Sequence, residues 1–181
     1  MNFHCWAASI TSALIIYACT ACTHPTSSIT TAPTMSLASS PTRSYIVRLK
    51  PGQDVKAELE ALARAHHLQA ASIVSVVGSL TNVALRFANK PETTTLTGHF
   101  EVVAMSGYLA ANEFHCHLAV SDGEGKTLGG HLMAGNRVYT TLVVVIQEHL
   151  GLRYRREFDP TSNYQELVID EVETMTPPVT K

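Results

Sequence analysis

EFHCHLAVSDGEGKTLGGHLMAGNRVYTTLVVVI, residues 113–146, decides how this chain is read. Phe114, Cys116, Leu118 and Val120 alternate with His115, His117 and Ala119, the period-two pattern of a strand with one face on a core. That parity puts His115 and His117 on the same face, ~7 Å apart at the backbone from two rises of ~3.3 Å. Cys116 falls on the opposite face, where it reads as a small buried hydrophobe. Asp122-Gly123-Glu124-Gly125-Lys126 then turns the chain, which returns through Gly129-Gly130-His131. The missing side chains at Gly129 and Gly130 permit close approach of a ligand or of another backbone, and both are candidate ligand-binding positions. Neutral imidazoles bind zinc at ~2.0–2.1 Å, and three of them leave one position open. His115, His117 and His131 are therefore candidate ligands for a divalent metal, with zinc expected. The plainer alternative is three polar residues on a solvated sheet face, or core histidines bonded to carbonyls.

Outward from this ribbon the pattern stays β-rich. Val138–Ile146 is apolar on both faces, as in a central or covered strand. Upstream, Tyr45, Val47 and Leu49 alternate up to Pro51-Gly52, and Asp54 stands where an N-cap precedes a helix with a Val55, Leu59, Leu62, Ala63 stripe. His66-His67 closes that helix, where protonated rings favour the negative helix end. Ala70–Val77 is an apolar strand interrupted at Gly78-Ser79, and Val83, Leu85 and Phe87 resume the alternation. Arg86 in this second run reads, from the residues alone, as an outward arginine with a packed stem. Thr97–Leu109 supplies a further strand. Its Glu101 is the candidate fourth ligand or general base, because hydrolytic metal sites place a carboxylate beside the bound water. Arg153, Arg155 and Arg156 form the one basic cluster and read as a solvated strand face. Tyr164–Ile169 is expected to close the sheet.

The ordered motifs RLKPGQDV, IVSVVGSLTNVALRF, FEVVAMSG, His-x-His and GGHLMAGNRV, spread between about Ser44 and Asp170, resemble the plants-and-prokaryotes-conserved (PPC) domain family. In plants that domain accompanies AT-hook motifs, and in bacteria it usually stands alone. The resemblance implies an α+β fold, a single PPC-like domain on a largely antiparallel sheet with flanking helices, assembling as a homotrimer. It also implies a metal near His115, His117 and His131, and makes Arg86, where a basic residue recurs in the family, a candidate ligand-binding contact to an anion in an intersubunit cleft. One departure is Val143, in VYTTLVVVI, at a place where the family often carries glutamate.

The amino-terminal composition divides the chain further. Residues 1–22 carry an apolar run from Trp6 to Tyr17, too short to span a bilayer but of signal-peptide length. Ala18-Cys19 and Ala21-Cys22 also resemble lipoprotein signals, so Cys19 or Cys22 is a candidate lipidation site and membrane tether. Residues 23–43 are a Ser/Thr/Pro-rich linker, 44–170 the domain and 171–181 a flexible tail. The expected location is outside the cytosol: periplasmic, membrane-anchored or secreted.

With 45% hydrophobic residues, 15% charged residues and a net charge of −2, the 181-residue chain can bury one core, and its negative net charge argues against a nucleic-acid binder. It also contains no AT-hook, so DNA is not an expected partner. Three function classes follow. The first is an exported trimer binding a divalent metal or small ligand through the three histidines. The second is a metal-dependent enzyme of unassigned reaction at that site. The third, DNA binding by analogy with the plant proteins, is disfavoured by charge.

Overall fold

The computed structural model describes residues 37–173. The expected signal peptide, Cys19 and Cys22, the first part of the linker and the last eight residues of the tail lie outside the described residues. Eight strands and one helix make up the rest: β1 (Thr42–Leu49), α1 (Val55–Ala65), β2 (Ala71–Arg86), β3 (Thr93–Ala110), β4 (Glu113–Ser121), β5 (Thr127–Leu132), β6 (Arg137–His149), β7 (Leu152–Asp159) and β8 (Tyr164–Glu171). The first strand begins two residues before the expected domain start at Ser44, because Thr42 and Arg43 pair with His149 and Glu148.

A six-stranded antiparallel sheet runs β1-β6-β2-β3-β4-β5. It curls far enough for β5 to pair with β2 as well, Leu132 opposite Leu85 and His131 opposite Arg86. Strands β2 to β5 thus form a closed cycle around Leu80, Val83, Leu85, Leu109, Leu118 and Val120, all buried. Burying this much apolar surface is the main favourable contribution to the fold. Because the sheet covers itself, one helix suffices among the described residues where flanking helices were expected. Asp54 caps α1, its Oδ1 accepting from Ala57 N at 3.0 Å, and Val55, Leu59 and Ala63 are buried.

Two further expectations are corrected. Gly78-Ser79 does not end a strand, since β2 continues through both to Arg86. A Cβ at Gly78 would lie 2.1 Å from Thr141 O, so this glycine is where β2 bends against β6. Lastly, Tyr164–Ile169 does not close the main sheet. It belongs to β8, which pairs only with β7 in a separate hairpin. Hydrogen bonds from Tyr154 N to Gln69 O (2.9 Å) and Leu150 N to Pro41 O (2.9 Å) fix the base of this hairpin.

The turn Met133–Asn136 carries a buried clasp that its composition did not announce. Asn136 is fully buried. Its Oδ1 accepts from Ala84 N at 3.0 Å, and its Nδ2 donates to Ala84 O at 2.9 Å and Met133 O at 2.7 Å. The end of β5 is thereby tied to β2. On the outer face of the β1-β6-β2 region, Ile46 and Val77 are 75% and 64% exposed. Val145 and Val143 lie beside them in register.

Candidate metal centre

Strand register brings the three histidines together. His117 on β4 stands directly opposite His131 on β5, and His115 lies two residues along the same face. Ring centroids are 4.5 Å apart for His117–His131 and 5.2 Å apart for both His115–His117 and His115–His131. One ligand atom from each lies within 4.8 Å of those of the other two. Tetrahedral zinc with ~2.05 Å bonds separates its nitrogens by about 3.3 Å, so small side-chain rotations bring the rings to bonding distance. The donor set fits: three imidazoles without a thiolate or carboxylate suit a divalent first-row metal such as zinc and leave coordination open.

The surroundings keep two rings neutral. His115 has its pKa lowered by desolvation first, then by the charges of Arg156, His117 and Arg86. His131 is lowered by desolvation, then by Arg86 and its two fellow histidines. A neutral imidazole is the form that ligates.

Other candidates fall in different places. Glu101 pairs with Ser121 on β4, five residues along β3 from Ser106, the residue opposite His117. That is roughly 16 Å of strand at ~3.3 Å per residue, and the structure does not bring Glu101 to the histidines. Arg86 does lie at the site, in register with His131. Gly130 serves backbone packing: a Cβ there would sit 2.7 Å from Arg86 O, so the glycine lets β5 dock on β2 and carry His131 into place. Gly129 similarly faces Leu118 O, 3.1 Å from where its Cβ would be. Cys116 is buried away from the cluster, and burial pushes its thiol up to about 12.

One contributor was missed. Arg156 on β7 is not a solvated residue like its neighbours. Its Nη2 donates to Tyr108 Oη at 2.7 Å and to His115 Nδ1 at 3.0 Å, and its Nε approaches Glu113 Oε2 at 3.3 Å. Arg155 and Arg153 pair instead with Asp170. Strand parity hinted at this separation, but nothing in the sequence links β7 to β4. Lys56, Arg86 and Arg156 together line a cleft of about 300 Å³ with Phe114, His115 and His131.

A family model described as the Plants and Prokaryotes Conserved (PCC) domain matches residues 37–150. Among curated proteins, the bifunctional protein GlmU of Synechococcus sp. (strain JA-3-3Ab) is 46% identical over 136 residues, 75% of this chain. The chain spans only 22% of that relative's length. Among solved structures, a hypothetical protein of Salmonella enterica is 46% identical with a TM-score of 0.73, over 74% of this chain and 97% of that one. The metal-containing protein AF0104 of Archaeoglobus fulgidus shares the fold at 20% identity and a TM-score of 0.65, over 74% of this chain and 99% of that one.

Proposed function

Since the chain belongs to the Plants and Prokaryotes Conserved domain family, we propose that it is an exported, homotrimeric binding protein that holds a divalent metal at His115, His117 and His131. The observation that carries this reading is the convergence of three imidazoles from β4 and β5, with ligand atoms within 4.8 Å of one another. Zinc is the proposed ion, from the all-nitrogen donor set and the open position. A protein of the same fold, from Archaeoglobus fulgidus, is metal-containing, which supports the reading. When bound, the ion supplies concentrated positive charge and Lewis acidity in the cleft.

Self-association is supported by the exposed Ile46 and Val77 beside Val143 and Val145. Apolar side chains grouped on a sheet face favour cover by a second copy. Valine at position 143 adds to this apolar strip. Export, with or without a lipid on Cys19 or Cys22, rests on the composition of residues 1–22.

The test is element-resolved metal analysis of the purified protein together with its solution mass. Wild type is expected to carry about one zinc per chain and to run as a trimer. His117→Ala should keep its circular dichroism spectrum and lose the metal. Full metal content in that variant refutes the site, and a monomeric mass refutes the assembly.

The cleft beside the histidines, about 300 Å³, also admits a small substrate and favours a metal-dependent enzyme as the second reading. With Glu101 elsewhere on β3, such an enzyme would need a base other than the one its sequence suggested.

A further inference from the structure

We infer that Arg156 serves two alternative acceptors, His115 Nδ1 in the metal-free protein and, jointly with Arg86, a small oxyanion in the metal-loaded protein. This inference rests on the three-histidine reading above and names the class of ligand that completes the site: a carboxylate or phosphate group.

A guanidinium only donates, so its 3.0 Å contact uses the single lone pair of a neutral His115 ring, at Nδ1. A neutral ring has one lone pair to offer. His115 therefore cannot accept from Arg156 and ligate a metal at the same time. Loading the site requires Arg156 to release Nδ1, and that leaves a guanidinium donor beside the ligands.

Three neutral imidazoles leave the +2 charge of a bound ion uncompensated, which favours an anion in the open position. Arg86 has no carboxylate within ion-pair distance among the described residues, and its one side-chain bond is a long 3.5 Å contact to Lys90 O. It faces the cleft with Arg156 and Lys56. Lys56 is engaged by Glu60, and Glu113 balances part of Arg156. Glu166 also lies close enough to be felt at His115. Arg86 and the released donor of Arg156 are what remains for an incoming ligand. Planar guanidinium groups match carboxylate and phosphate oxygens, and the cleft limits the ligand to a small one.

The family match ends at residue 150, whereas Arg156 lies beyond it, on a strand outside the main sheet. The site thus draws its histidines from the main sheet and this cation from the separate hairpin β7–β8.

The experiment uses the full-length protein loaded with Co²⁺, whose visible spectrum reports coordination. Affinities are measured in oxyanion-free buffer and again with acetate or inorganic phosphate. In wild type, acetate or phosphate should tighten Co²⁺ binding, and Co²⁺ should tighten anion binding by the same factor, as linkage requires. The anion giving the larger factor identifies carboxylate or phosphate as the source.

Arg156→Gln should bind Co²⁺ about tenfold or more tightly in oxyanion-free buffer, because a competing charge-assisted hydrogen bond is gone. The same variant should lose most of the anion effect. Arg86→Gln should lose the anion effect without the loss of a bond to His115, and so provides a second, independent variant. Circular dichroism checks that both are folded. Weaker or unchanged Co²⁺ affinity in Arg156→Gln overturns the exchange of acceptors. An anion effect that survives in both variants overturns the oxyanion site. Absence of any Co²⁺ spectrum in wild type is a different failure: it removes the metal reading itself, and this inference with it.

Discussion

Replacing Asn136 tests how the fold holds its site. The side chain is fully buried and joins β2 to the end of β5 through three hydrogen bonds. In Asn136→Ala, Ala84 O still accepts from Met133 N at 3.2 Å. Ala84 N and Met133 O lose their side-chain partner. Each orphaned buried group costs about 1–3 kcal/mol, so a loss of about 3 kcal/mol is expected, allowing for partial hydration of the small void. For a domain of this size that lowers Tm by roughly 10 °C.

Asn136→Asp separates hydrogen bonding from volume. Aspartate is nearly isosteric and keeps an acceptor for Ala84 N, but it cannot donate, and a buried carboxylate would face two carbonyl oxygens. If the clasp acts through its donors, Asp should destabilise at least as much as Ala. Urea unfolding of both variants, with far-UV circular dichroism as the probe, measures this. A loss below about 1 kcal/mol in Asn136→Ala, or a near-neutral Asn136→Asp, would refute the reasoning. Because Met133 follows His131 by two residues, both variants should also weaken metal binding in the folded protein.

Gly107→Ala should damage β4 where the His-x-His pair sits. A Cβ there would lie 2.1 Å from His115 O and 2.6 Å from Cys116 Cα, at a φ of +144°. Overpacking alone costs about 1–3 kcal/mol, so unfolding measurements should show a loss at or above the top of that range, with weakened metal uptake. Protonation of His115 and His131 should not weaken metal binding until the pH falls below about 6.5, the ordinary histidine pKa. His115 and His131 both have lowered pKa values and have few protons to displace at neutrality. The same shifts make a contribution to stability that is complete above about 6.5 and lost as pH falls through the folded-state values, since the unfolded chain takes up protons first. Isothermal titration in buffers of different ionisation enthalpy, and urea midpoints across this range, check the two statements. Release of two or more protons per metal at neutral pH would contradict the first.

Periodicity alone placed His115 and His117 on one face and Cys116 on the other, because side-chain parity along a strand is a local property. Asp54 was legible as a cap for the same reason: an N-cap bonds within its own turn. The ordered motifs carried the family. The continuation of β2 through Gly78 was not legible, since a glycine that breaks a strand and one that bends it against a neighbour look alike in sequence.

What remained belongs to contacts between residues far apart in the chain. Register across β4 and β5 put His131 opposite His117, and closure of β5 onto β2 brought Arg86 alongside. The same geometry left Glu101 along the strand from the histidines. It also resolved the glycine pair in favour of backbone approach at Gly130. Arg156 reaches His115 across forty-one positions of sequence, from a hairpin whose own pattern reads as solvated surface. Local alternation fixes which way a side chain points. Only the folded sheet decides what it meets there, because strand pairing and sheet curvature are set by packing of the whole core.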